Sequence, residues 1–116
     1  MIGVSSISGV RINSIPYEVE EFIEKLDEKK LFAKNCYHVA RKLRLSMDEV
    51  NRIKREESRE EGSPTLALIS KLSTLDPVVT LRKFVRVLYQ LGRHDISHPI
   101  IEFYRSGGQQ AITSSV

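Results

Sequence analysis

The sequence predicts an all-α fold, a six-helix antiparallel bundle, within 116 residues. Three observations carry that expectation. Apolar residues recur at spacings of three and four through the middle of the chain, the period of a helix face. Ser, Thr and Pro stand just ahead of those stripes, where helices start. Strand-like alternation of apolar and polar residues is scarce.

The elements follow in order. Residues 1–13 are Ser- and Gly-containing without sustained periodicity, and read as an N-terminal tail or a short extended segment packed on the body. Ser14 as cap and Pro16 in the first turn start a helix that buries Val19, Phe22, Ile23 and Leu26. Phe32, Cys36, Val39, Ala40 and Leu43 form the second stripe, with Lys34, His38, Arg41 and Lys42 on its polar side. Ser46-Met-Asp-Glu49 is a capping box, so a third helix begins there and buries Val50 and Ile53. The charged run 56–64 breaks the pattern. Ser63-Pro64 then starts a fourth helix carrying Leu66, Ile69 and Leu72, which Asp76-Pro77 ends.

Thr80 caps the fifth and clearest helix, with Leu81, Phe84, Val85, Leu88 and Leu91 on one face. Gly92 stands where a left-handed C-terminal cap belongs. A short sixth helix between Asp95 and Tyr104 buries Ile96, Ile100 and Phe103, with Pro99 in its first turn and Asp95 or Ser97 as cap. The division is therefore an N-terminal tail or extended segment (1–13), one helical domain (14–105) and a flexible C-terminal tail (106–116).

Composition narrows the function classes. Hydrophobic residues are 41% and charged residues 28%, too apolar for a disordered chain. No apolar run approaches the roughly 20 residues that span a bilayer, so membrane insertion is not expected. A single cysteine builds no disulfide framework and fits a reducing, cytoplasmic setting. Cys36 lies on an apolar stripe, where a buried packing role is expected. The three histidines have no metal-ligand or Ser/His/Asp spacing, and Gly107-Gly108 precede no helix that could cradle phosphate. No enzyme, cofactor, metal or small-molecule substrate is expected.

Segment 36–57 invites a helix-turn-helix reading through Ala40, Leu43, Leu45, Ser46 and Val50. Two features count against nucleic acid. Arg44 stands where such turns favour a left-handed glycine. Asp48 and Glu49 would meet the phosphates at the start of the recognition helix, whereas acids at a helix start are what the dipole favours. The rival interface would be the basic helices two, three and five, the last through Arg82, Lys83 and Arg86.

The stretch DPVVTLRKFVRVLYQLGRHDI (76–96) carries a proline, Thr-Leu, a long striped helix and then Leu-Gly-Arg-His-Asp-Ile. Upstream, VARKLRLSMDEVNRIKRE (39–56) runs Val-Ala, two spacers, then Leu-Arg-Leu-Ser, acid and aliphatic. In this order and at this separation the two segments resemble the death domain, over about residues 17–105. The chain resembles a divergent member, with Cys36 where the family commonly has Trp and Arg44 where it has Gly. Arg93-His94-Asp95-Ile96 also resembles the Arg-x-Asp-Leu motif of death-effector domains, so the subgroup stays open. The resemblance implies a six-helix bundle of death-fold type and a homotypic adaptor in apoptotic or innate-immune signalling.

The charge distribution agrees with that expectation. The first helix is acidic and the second basic, and such blocks can pair head to tail between copies. Candidate partner-contacting residues are Glu20, Glu21, Glu24 and Asp27 on helix one, and Lys34, Arg41, Lys42 and Arg44 on helix two and its turn. Asp48, Arg52 and Arg55 follow on helix three, and Arg93, His94 and Asp95 at the last corner. The expected partners are other death-fold domains, self or heterotypic. The last residues, Ser114-Ser115-Val116, also resemble a C-terminal PDZ ligand.

Overall fold

Helix-start chemistry sets the architecture. In the computed structural model, which describes residues 7, 9–28, 35–57, 62–75 and 77–106, six α-helices form an all-α bundle. They are α1 (Tyr17–Glu24), α2 (Cys36–Lys42), α3 (Met47–Glu57), α4 (Pro64–Leu72), α5 (Leu81–Gln90) and α6 (His94–Arg105). The expectations placed on Phe32, Lys34, Asp76 and the last ten residues, the PDZ-like end included, lie outside the described residues.

Three of the expected starts have the expected chemistry. The Ser46 hydroxyl accepts from the Glu49 amide at 3.2 Å while the Glu49 carboxylate accepts from the Ser46 amide at 2.9 Å, a closed capping box. Ser63 caps α4 by accepting from the Leu66 amide, and Thr80 caps α5 by accepting from Lys83.

Three boundaries differ. Pro16, not Ser14, is the N-cap of α1; Ser14 belongs to a 3-10 turn (Ile12–Ser14), and its hydroxyl donates to the Arg11 carbonyl. Helix α4 stops at Leu72, before Asp76, because the Ser73 and Thr74 hydroxyls bind the Ile69 and Lys71 carbonyls and end the ladder. Helix α6 begins at His94, so Pro99 lies inside it rather than in the first turn, and neither Asp95 nor Ser97 is its cap. Pro99 has no amide to donate to the Asp95 carbonyl, so α6 lacks one rung of its hydrogen-bond ladder there.

Segment 10–12 takes the second of the two forms expected of the N-terminal stretch. Arg11 pairs with Thr80 in an isolated antiparallel bridge, flanked by Ile12 N–H to Val79 carbonyl and Leu81 N–H to Val10 carbonyl. Ile7 and Ile12 are buried with the helical core.

That core holds Val19, Ile23, Leu26, Cys36, Val39, Ala40, Val50, Ile53, Leu68, Leu72, Leu81, Phe84, Leu88, Ile96 and Ile100. Burying each large aliphatic side chain contributes about 1.5–3 kcal/mol. Cys36 is a packing residue of this core. Helix α4 is central, packing on α1, α2 and α3, while α2 also packs on α5, and α1 on α6. Acidic α1 and basic α2 both pack on α4.

Two turns use the left-handed backbone. Gly92 has φ 77°, as expected for the cap of α5. Arg44 has φ 66° in the four-residue turn between α2 and α3. The left-handed turn therefore forms without glycine, at a cost of about 1 kcal/mol.

Candidate interaction surfaces

The acidic surface is built by α1. Glu20, Glu21 and Glu24 lie on its solvent side, opposite buried Val19 and Ile23. Partial burial, followed by the charges of Glu20, Asp27 and Glu21, holds the Glu24 carboxyl above the usual carboxylate range. Tyr17 is 69% exposed at the head of the same helix, and a hydrogen bond to Glu21 together with that charge raises its phenol.

Asp27 belongs to the fold instead. Its carboxylate accepts from the Thr65 amide at 3.0 Å, the Thr65 hydroxyl at 2.6 Å and the Ser63 hydroxyl at 2.5 Å. It therefore completes the N-terminus of α4 from 38 residues away in sequence.

The basic residues of the α2–α3 turn meet those of α5. Lys42, Arg44, Arg82, Lys83 and Arg86 line one groove of about 570 Å³, floored by Leu43 and Val87. No acid lines it. All five cations are exposed, and none has an ion pair with any described carboxylate. Arg41 is exposed on α2 but does not line this groove.

Helix α3 contributes differently. Asp48, Arg52 and Arg55 are exposed as expected. Arg52 lines a second groove of about 670 Å³ between α3 and α4, with Ile53, Leu66, Ala67 and the Glu49–Lys71 ion pair. That pair is 3.0 Å long. Two Ser46 hydrogen bonds, the backbone one stronger, and Lys71 lower the Glu49 carboxyl to about 2.

At the last corner the expected trio separates. Arg93 is only 4% exposed and forms a two-pronged pair with Asp95, Nε to Oδ1 and Nη2 to Oδ2, both 3.0 Å. The guanidinium is thus turned onto the first turn of α6 rather than into solvent. His94 is exposed and stacks between Tyr89 at 4.4 Å and His98 at 5.3 Å.

Among the described residues no group of three His, Cys, Asp or Glu is placed to hold a metal ion, and no helix is long and apolar enough to cross a membrane. Sequence reasoning groups the basic helices two and five only as a rival nucleic-acid interface; that Lys42 and Arg44 share one groove with Arg82, Lys83 and Arg86 emerges from the fold. Their spacing of about one helical turn on α5, at Arg82 and Arg86, was the available signal. No family model, curated protein or solved structure matches this chain.

Proposed function

We propose that this domain is a non-enzymatic protein–protein interaction module, an adaptor of death-fold type acting in the cytoplasm in apoptotic or innate-immune signalling. One observation carries the reading: acids and cations are segregated by element, with Glu20, Glu21 and Glu24 on α1 and exposed Arg41, Lys42, Arg82, Lys83 and Arg86 on α2 and α5. Opposite patches on one body pair head to tail with other copies or related domains, and such contacts propagate rather than close. Each exposed pair contributes only about 0–1 kcal/mol, so several act together and salt weakens them.

Charge reversal tests it. Arg41→Glu with Lys42→Glu should abolish self-association in light scattering, or capture of a death-fold partner in pull-down, with helical circular dichroism retained. Unchanged scattering and capture would refute the assignment.

A second reading, duplex nucleic acid on α2 and α5, is favoured by the shared groove of cations. Asp48, exposed at the start of α3, opposes it by repelling phosphate. A salt-dependent gel shift with duplex DNA supports this reading, and no shift at low salt ends it.

A further inference from the structure

We propose that the groove between the α2–α3 turn and α5 binds a compact ligand carrying several phosphate groups, of the inositol polyphosphate class. Three independent observations converge on it.

First, five cations line one depression with no carboxylate among its described lining residues. Surface lysines and arginines of a folded domain are ordinarily interspersed with acids, which limits mutual repulsion. No described carboxylate offsets that repulsion, and a polyanion in the groove would relieve it. The volume of about 570 Å³ is within the usual range for small-molecule sites, roughly 300–1,000 Å³.

Second, two of the five stand at the wrong end of their helix. Arg82 and Lys83 occupy the second and third positions of α5, whose first turn carries no acid. The positive end of the helix dipole disfavours cations there and favours an anion. Arg82 and Lys83 thus stand where the helix dipole does not offset their charge, and an anion in the groove alongside α5 would.

Third, the backbone of Arg44 is strained in the left-handed region at φ 66°. Glycine would relieve that strain, yet the turn retains a guanidinium that lines the groove. Strained backbone tends to persist where a side chain has a task.

The shape favours a compact ligand over nucleic acid. Among the described residues no aromatic side chain lines the groove to stack an unpaired base. The cations line one depression, and guanidinium groups from the α2–α3 turn and α5 can grip one phosphate cluster in forked pairs.

Inositol hexakisphosphate, titrated calorimetrically into the full chain at near-physiological salt, tests the site directly. Saturable one-to-one binding is expected, weakened at least about tenfold by Arg82→Ser with Arg86→Ser. Arg44→Gly should weaken binding by a similar factor while raising the melting temperature, which a merely structural role could not do. Arg41→Ser, outside the groove, should change binding less than about threefold. Vesicles containing phosphatidylinositol bisphosphate distinguish the source: binding them supports a lipid headgroup, and binding only the free compound supports a soluble ligand. Absence of binding, indifference to the groove substitutions, or equal binding of phosphatidylserine vesicles or of duplex DNA with matched phosphate number would overturn the proposal. Because binding is read without reference to self-association, its failure is distinct from failure of the adaptor reading.

Discussion

The Asp27 carboxylate grips Thr65 at both its amide and its hydroxyl, tying the end of the α1 segment to the first turn of α4. A carboxylate at a helix N-terminus satisfies donors that have no partner within the helix and opposes the dipole's positive end. The contact joins the element that carries the acidic surface to the helix at the centre of the bundle. Asp27→Ala should therefore destabilise the fold by about 1–2 kcal/mol in urea unfolding. Glu21→Lys, on the exposed side of α1, should leave stability within about 0.5 kcal/mol. If both substitutions had equal effects, the structural role of Asp27 would be wrong.

The pairing of Glu49 has a pH signature. Its carboxyl is lowered from an ordinary 4.5 to about 2 by Ser46 and Lys71. A carboxylate depressed on folding binds its proton more readily in the unfolded chain, so its stabilising contribution is complete above pH 4.5 and lost as pH falls toward 2. Glu49→Gln should lower the melting temperature at neutral pH and flatten its decline between about pH 4.5 and 2. A parallel decline in both proteins would contradict the capping and ion-pair assignment.

Glu49 and Asp27 also mark what can be read from sequence. Ser46 to Glu49 is a four-residue motif with its chemistry inside it, as are Ser63 to Leu66 and Thr80 to Lys83. Such local signals located three of the helices. Asp27 is indistinguishable in sequence from its acidic neighbours, because its partners are fixed only by the packing of α1 on α4. Asn35, which caps α2 by accepting from Tyr37, lay inside a stripe read as already helical from Phe32. The basic groove was half legible: each helix showed its charges, but only the fold brings residues 42–44 against residues 82–86. Arg93 is the converse, a charge whose burial no local pattern announces.

Ser97 is fully buried in α6, and its hydroxyl finds no hydrogen-bond partner among the described residues. A buried polar atom without a partner forfeits its hydration, and alanine is the better helix former. Ser97→Ala should stabilise the domain by about 1 kcal/mol, read as a higher urea midpoint with an unchanged slope. A lower midpoint would mean that the hydroxyl has a partner after all.

The Arg93–Asp95 pair decides whether the last corner serves the fold or a partner. Arg93 is 4% exposed, and both prongs of its guanidinium meet Asp95 at 3.0 Å. Removing one member of such a pair leaves the other charge buried with incomplete compensation, typically a loss of 3–5 kcal/mol for full burial. Asp95 is itself exposed, so water can reach the freed position and the loss should be smaller. Asp95→Ala should thus lower stability by about 2–3 kcal/mol. Arg93→Lys should not be silent, since an ammonium cannot reproduce the fork. His94→Ala, which removes only an exposed stacked ring, should cost less than about 1 kcal/mol. Urea unfolding of the three variants separates the possibilities. Should Asp95→Ala prove as stable as the parent while losing a binding partner, the corner would be a contact surface and the ion pair incidental.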